Sequence, residues 1–511
     1  MTNNANENAI ERENADANAL QNASSRRRVA VLGGGISGLA AAWRLSKIAP
    51  ELDVVLWEKT GRVGGVIGSK QIDGFHLEAS VDNFITTVPW ALDLCKELGF
   101  ESELTSTNNR YRRTFVVRKR RLYPLPDGFM TMAPTKLYPM ATTPLLSPFG
   151  KLRCALELLL PRRRSQEEES IAAFVTRRLG REAFERLVEP LVGGIYGGDA
   201  SRLSLQATLP RFAEMERKDR SLIWSMKKSQ KKAKRVKREE ESGARYSFFL
   251  TLSSGMESLP RRLAERLESE NRARVELNRE AVKLEKASDA NGANGADGWL
   301  LTDSTGKTER FDAVLCATPS DAAGALFRSV APITSEVCAG TERTGTAIVH
   351  LAFRNEQVKR PVAGMGFVVP PSEGNGLLAG SFSSFKYPSR APEGTTLLRI
   401  FVGGARSPDS LTIPESELLD RVLAETRALL GVEGEPLMSD VARFPNATPQ
   451  YYLGRLDAIR RLREELAATP TLALAGNALE GVGLPACVKS GNDAAEKIAA
   501  DLGFAVEKSG R

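Results

Sequence analysis

Histidine is nearly missing from this chain, with His76 and His350 its two copies in 511 residues. That scarcity excludes His-rich metal clusters and most His-based catalytic triads. The five cysteines, Cys95, Cys154, Cys316, Cys338 and Cys487, lie far apart and never as C-x-x-C. This spacing argues against both a disulfide framework and a zinc site, and it fits a reducing compartment. No run of ~18 apolar residues occurs, so a spanning helix is excluded while a surface-bound helix is not. Catalysis must come from something other than histidine, and a bound cofactor is the obvious source.

What is present describes a folding chain. With 42% hydrophobic and 26% charged residues it falls in the ordinary globular range. At one domain per ~150 residues it holds two to four domains or one large interwoven unit. The net charge of +8 is local: Lys227 to Arg238 holds eight basic and no acidic residues, and Arg110 to Arg121 seven and none. The rest of the chain is therefore net acidic. The first 25 residues are rich in Asn, Ala and Glu, without an apolar or Arg-rich import pattern, and read as a solvated tail. From Arg28 the texture becomes strand, glycine turn, helix and second strand (Asp53 to Glu58), a βαβ start. Residues from Leu92 to Ser204 read mostly as helices by their three-and-four apolar spacing. TAIVHLAF, GMGFVVP, LLAGSFSS and LLRIFVGG predict a large sheet, interrupted by a helix over Glu415 to Leu430. The stretch Asp289 to Gly298 reads as a hairpin loop. The C-terminus returns to strand, glycine turn and helix.

Gly33, Gly35 and Gly38 form G-x-G-x-x-G between a strand and a helix, and Glu58 ends the next strand. Gly33 permits the tight turn, Gly35 lets backbone approach a pyrophosphate, and Gly38 allows close helix–strand packing. The phosphates then meet a helix N-terminus, whose free N–H groups favour an anion. Glu58 is placed to bind ribose hydroxyls and would repel a 2′-phosphate, which disfavours NADP. A second glycine turn, Gly61-Arg62-Val63-Gly64-Gly65, follows. NAD enzymes have no need of it, whereas a longer flavin dinucleotide does. A helix starting near Gly483 could aim its N-terminus at the flavin pyrimidine ring.

These stretches, with LVEPLVGGIYGGDASRLSLQATLP, LLAGSFSSFKYPSRAP, TPQYYLGR and LAGNALEGVGLPACVKSG, resemble the FAD-dependent protoporphyrinogen oxidase and coproporphyrinogen III oxidase family, within the flavin amine oxidase group. The resemblance runs from about Arg28 to Gly503. It implies an α/β fold: a Rossmann-like FAD-binding domain of the GR2 flavoprotein type, interwoven with a mixed-sheet substrate domain and a mostly helical membrane-contact lobe. The expected divisions are a tail at 1–25, the FAD domain at 26–90, 270–325 and 465–511, the substrate domain at 205–269 and 326–464, and the lobe at 91–204. Non-covalent FAD is expected on Gly33, Gly34, Gly35, Ile36, Ser37 and Gly38, on Glu58, Lys59, Arg62, Gly65 and Val66, and on Ser80, Val81, Asp82 and Asn83. It continues at Ala281, Asn477, Val482, Gly483 and Leu484. The porphyrinogen pocket is expected at Gly194, Leu351, Val369 and Phe401, with no metal and no side chain assigned as catalytic.

The implied reaction removes six electrons from a porphyrinogen, protoporphyrinogen IX by the family's usual habit, in three hydride steps to flavin N5. Dioxygen is the acceptor and hydrogen peroxide the by-product, in haem biosynthesis. Coproporphyrinogen III is the alternative substrate. The setting is cytoplasmic with peripheral contact on the inner face of a membrane, without nucleic acid, and compatible with a homodimer. Three departures from the family stand out. Ser80-Val81 replaces a frequent Gly-Pro, Arg455 a frequent histidine, and Asp82 an arginine thought to hold a propionate in animal members. An aspartate cannot clamp a carboxylate, so Lys386, Arg390 and Arg455 are the expected substitutes. An amine oxidase or carotenoid desaturase on the same scaffold is the first alternative, weakened because Ala478 and Leu479 stand where an aromatic pair is usual. A membrane- or nucleic-acid-binding protein is the second, and no aromatic residue interleaves with the Lys227 to Arg238 run.

Overall fold

In the computed structural model of the protein, residues 26–239, 248–287, 298–374 and 376–506 are described. The expected tail and most of the Asp289 to Gly298 loop lie outside them. In chain order the first principal elements are β1 (Arg28–Leu32), α1 (Ile36–Ile48), β2 (Asp53–Trp57), β3 (Thr114–Arg118), β4 (Arg121–Pro124), α2 (Pro148–Ala155), α3 (Ile171–Leu179) and α4 (Glu189–Tyr196). Then come α5 (Pro210–Asp219), α6 (Leu222–Glu239), β5 (Arg274–Glu276), β6 (Ala281–Ala287), β7 (Gly298–Asp303), β8 (Thr308–Phe311) and β9 (Ala313–Cys316). The chain closes with β10 (Arg343–Arg354), β11 (Gly366–Val368), β12 (Leu377–Phe382), β13 (Thr395–Gly403), α7 (Glu415–Leu430), β14 (Met438–Pro449), α8 (Arg455–Ala467), β15 (Leu472–Leu474) and α9 (Leu484–Asp501).

Val29–Leu32 and Val54–Trp57 are unbroken apolar runs, and each residue in them is almost fully buried. That is the pattern of parallel strands covered on both faces. They form the centre of a five-stranded parallel sheet, β5-β2-β1-β9-β15, with Val29 in register between Val54 and Ala313. One face packs against α1 and α9 through Leu39, Val488 and Ile498. The other meets Trp299 and Phe311 of the three-stranded β6-β7-β8 sheet. The helices α1 and α9 touch at Gly491, where a Cβ would come within 2.2 Å of the Ser37 carbonyl oxygen. The side chains of Cys487 and Ser37 also interact, so the first turns of the two helices lie together.

A second sheet has seven strands in the order β14-β10-β13-β12-β11-β3-β4, antiparallel except where β11 meets β3. Its alternation divides it cleanly. Val349, Leu351, Leu398 and Ile400 pack under α7, while His350, Arg399 and Phe401 point to the opposite face. A third apolar cluster unites α3, α4 and α5 with Val368 and Ala379 of the sheet. The expected divisions need two corrections. β3 and β4, assigned to the helical lobe, complete the second sheet, because Val116 and Val117 present apolar faces that only a sheet partner buries. Phe212, Leu222 and Met226, assigned to the substrate domain, belong to the helical cluster. Among the described residues no helix is long and apolar enough to cross a membrane.

Candidate functional site

The turn after β1 is built to bring backbone close to a ligand. Gly33 has φ +101°, and a Cβ on Gly38 would fall 2.0 Å from the Gly33 carbonyl oxygen, so neither position tolerates a side chain. Gly35, the N-cap of α1, has open space around its would-be Cβ. Ile36 and Ser37 follow in the buried first turn. The second glycine turn sits on the first: the Gly64 N–H donates to the Gly34 carbonyl at 2.8 Å, and a Cβ on Gly65 would meet the Gly35 Cα. Arg62 closes that turn on itself, donating to the carbonyls of Val63, Gly65 and Ile67. Its role is therefore to shape the loop. Val66 is exposed at the edge, and its carbonyl accepts from Ser80 Oγ at 2.5 Å.

Glu58 is buried at the end of β2. Its Oε2 accepts from the Gly34 N–H at 2.6 Å, and Oε1 accepts from the Thr60 N–H and hydroxyl. A carboxylate offers about four acceptor positions, so one remains for a hydroxyl donor. Lys59 is exposed beside it. Ala281 opens β6 and packs against the cluster that contains Trp57. At the far end, the Asn477 carbonyl accepts from the Tyr451 hydroxyl at 2.5 Å, and Val482 and Gly483 precede the buried Leu484 at the start of α9. Two glycine turns, a buried acid and two adjacent helix N-termini thus line one edge of the parallel sheet, which fits a dinucleotide with a charged ring system at its end.

The loop Ser80–Asn83 joins this edge to the second sheet. Asp82, 8% exposed, accepts from Lys386 Nζ at 2.5 Å, from the Arg390 guanidinium and from Asn83 Nδ2. Val81 packs into the apolar core of the parallel sheet. Burial pushes the Asp82 carboxyl up, but Lys386, Arg390 and Arg399 outweigh it and hold it well below the usual carboxylate range. Arg390 also donates to Glu78 and Thr251. Arg399 donates to the Ser80 carbonyl and lies 4.8 Å from the Phe401 ring centroid. Burial lowers the Arg399 and Lys386 pKa values. His350, beside Arg399 across β10 and β13, is pushed down to about 3 by burial and by that arginine. It is neutral.

The expected propionate cations therefore do not form a set. Lys386 and Arg390 neutralise Asp82, and Arg455 lies elsewhere, donating to Thr341 and to the Ala478 carbonyl, where it fixes the turn before α9. Sequence reasoning missed Arg399. The signal for it was a lone arginine inside the apolar strand LLRIFVGG. Of the four expected pocket residues, Gly194 and Phe401 share a face: a Cβ on Gly194 would lie 3.6 Å from the Ala379 Cβ, and Ala379 pairs with Phe401. Leu351 and Val369 send their side chains to the other face, under α7. The half-buried Tyr196, two residues after Gly194, has a cation beside it, Arg211, whose pKa is lowered by burial and which has no carboxylate partner among the described residues.

Comparison with known proteins agrees with this arrangement. The profile of the flavin containing amine oxidoreductase family matches residues 36–499. A coproporphyrinogen III oxidase of Bacillus subtilis is 33% identical over 474 residues, covering 92% of this chain and 97% of its own length. Protoporphyrinogen oxidase 2 of Arabidopsis thaliana is 28% identical over 502 residues, covering 93% and 94%. A crystal structure from Exiguobacterium sp. 255-15, provisionally assigned as a protoporphyrinogen oxidase, superposes with a TM-score of 0.79 at 30% identity, over 94% of this chain and 99% of that one.

Proposed function

The chain belongs to the flavin containing amine oxidoreductase family, among its porphyrinogen oxidases, and from that premise we propose that it oxidises coproporphyrinogen III to coproporphyrin III with FAD as cofactor and dioxygen as acceptor. The observation that carries this choice is the identity of 33% over 92% of the chain with a coproporphyrinogen III oxidase, against 28% with the Arabidopsis protoporphyrinogen oxidase. Protoporphyrinogen IX is the second reading, favoured by the resemblance itself. The flavin supplies two-electron oxidation, repeated three times to reach the porphyrin. The residues supply position, a dry pocket and charge.

Gly33 to Gly38 and the Gly64-Gly65 turn would hold the pyrophosphate by backbone, and Glu58 a ribose hydroxyl. Around Ser80–Asn83, Lys386, Arg390 and Arg399 outnumber Asp82 and Glu78. This surplus of positive charge, with the N-terminus of α9, favours an electron-rich ring. Phe401 and Gly194 offer an apolar platform for a flat macrocycle. Arg211, whose charge acts on Tyr196 and which has no carboxylate partner among the described residues, is proposed as the cation that meets a propionate. His350 is buried and neutral on the sheet face it shares with Arg399 and Phe401, and His76 faces Glu78. Proton release is assigned to the macrocycle N–H groups and solvent.

The lobe is proposed to rest on a membrane. Tyr138, Phe149, Leu152 and Leu159 are between 61% and 84% exposed, and Arg162 to Arg164 follow directly, the composition of an interfacial segment. The test of function is a side-by-side assay of purified holoenzyme on coproporphyrinogen III and protoporphyrinogen IX, following porphyrin fluorescence and peroxide. A higher kcat/KM on coproporphyrinogen III is expected, and a raised KM with unchanged flavin content in Arg211→Gln. A preference for protoporphyrinogen IX would select the second reading. Activity on neither would remove both.

A further inference from the structure

Away from the oxidation site, α5, α6 and the segment after α2 enclose a groove of about 970 Å³. Its walls carry Arg162, Arg163, Arg164, Arg217, Lys218 and Arg220, with Trp224 at the rim. One carboxylate, Asp219, lines it, and that group pairs with Lys228 at 2.9 Å. Arg163 pairs with Glu167 and Glu169. Among the described residues, Arg162, Arg164, Arg217, Lys218 and Arg220 have no carboxylate within 4.0 Å. Convergent cations repel one another, so a solvated basic face would splay them. Here the walls are fixed from beneath.

The fixing device is a buried ion network. Glu157 and Arg178, both fully buried, pair with each other. Arg178 donates to the Pro161 carbonyl at 3.0 Å in one wall and to the Arg220 carbonyl at 2.7 Å in the other. Glu157 accepts from the Ser221 hydroxyl at 2.6 Å and the Leu222 N–H at 2.8 Å at the head of α6. Glu216 accepts from Arg177 and from the Arg163 N–H. Both rims are thereby held in place, although five of the cations on them, all but Arg163, have no carboxylate among the described residues to hold. Burying charged groups to support a wall is costly unless each is satisfied, and here each is. Guanidinium forks match the oxygens of a phosphate two at a time.

We propose that this groove is a phosphate-binding site, the ligand being a phosphodiester or diphosphate group. Two sources share that chemistry, a lipid headgroup and a free phosphate compound. Trp224, 58% exposed, lines the groove, and Leu159, 73% exposed, stands two residues before Pro161 in the segment that leads into it, apolar side chains such as a lipid headgroup site would require. The site is separate from the flavin turns, so its failure would leave the oxidase reading untouched.

The test uses flavin-loaded full-length protein and two probes, sodium pyrophosphate and vesicles of phosphatidylglycerol in phosphatidylcholine. Trp224 emission is the readout, taken as the difference from Trp224→Phe. The triple variant Arg164→Gln, Arg217→Gln, Lys218→Gln should weaken pyrophosphate binding at least tenfold with the flavin absorbance intact. The control pair Arg112→Gln, Arg121→Gln, in the other basic run, should bind as wild type does. If phosphatidylglycerol vesicles bind and lose affinity in the triple variant as well, the source is lipid. If only pyrophosphate does so, the source is a free phosphate. Absence of a saturable Trp224 response to pyrophosphate overturns the proposal, and so does an equal loss in the control pair, which would reduce the effect to unspecific charge.

Discussion

Replacing Asp82 with asparagine should expose how the flavin-side loop is held to the second sheet. The carboxylate is 8% exposed and faces Lys386, Arg390 and Arg399, with Glu78 the other acid in contact with Arg390. Removing one partner of a buried ionic cluster leaves the others desolvated and uncompensated, which costs about 3–5 kcal/mol. At ~2.1 cal/mol/K of unfolding entropy per residue, 511 residues give roughly 1 kcal/mol per degree, so the melting temperature should fall by about 3–5 °C. Differential scanning calorimetry of the holoenzyme measures it. Because the folded carboxyl titrates below the ordinary value of 3.8, its contribution is complete above about pH 5 and fades as pH falls further. The gap between wild type and Asp82→Asn should therefore be constant from pH 6 to 8. The double variant Asp82→Asn, Lys386→Met removes one of the orphaned charges and should recover part of the loss. A single variant that melts within 1 °C of wild type, or a double variant that melts no higher than the single one, refutes the idea that the cluster is coupled.

Four further outcomes are expected. Glu58→Ala should weaken FAD by ~1.5–3 kcal/mol, roughly 10- to 150-fold in Kd, measured by flavin release on dilution. Precipitation with trichloroacetic acid should leave the flavin in the supernatant, since burial pushes the Cys487 thiol up to about 11 and keeps it protonated; flavin in the pellet would show a covalent link. His350 titrates near 3 in the fold against 6.5 unfolded, so the unfolded chain takes up a proton that the fold refuses. Wild-type stability should then fall below about pH 6.5 by ~1.4 kcal/mol per unit from this group, and His350→Gln should show a shallower acid slope in urea titrations. Vesicles containing phosphatidylglycerol should carry the protein in flotation at low salt and lose it as salt screens charge over ~8–10 Å, and protein left at the bottom at low salt would remove the membrane-resting lobe.

The parts of the fold that are legible in the sequence are those whose causes are local. Gly33, Gly35, Gly38 and Glu58 are specified by turn sterics and strand length within thirty residues, and the structure places all four at one edge of a parallel sheet. The helix at Glu415–Leu430 and the helix start after Gly483 follow from apolar period and glycine position alone. What periodicity cannot give is which distant segments share a sheet. Thr114–Pro124 reads as part of a helical region because its neighbours do, yet Gly366 to Val368, some 250 positions away, is its parallel partner. The period of two within each strand separates Leu398 from Phe401, but that Leu351 and Phe401 face opposite ways follows only from the register that pairs Leu351 with Leu398.

Asp82 shows where the reading from residue types runs out. An aspartate in place of an expected arginine looks like a lost clamp, and three nearby cations in the family-like stretches look like its replacements. A sequence displays a charge without its counter-charge. Once Lys386 and Arg390 are seen to converge on Asp82, the substitution makes sense as one half of an ion cluster, because three cations buried together need an anion far more than they need a second carboxylate from solvent. An arginine at position 82 would add a fourth positive charge to that cluster. The acid at 82 and the bases at 386, 390 and 399 therefore belong together, and recognition of a propionate must come from a cation outside them. Arg211, whose charge acts on Tyr196 two residues from Gly194 and which has no carboxylate of its own among the described residues, is the cation proposed for that role.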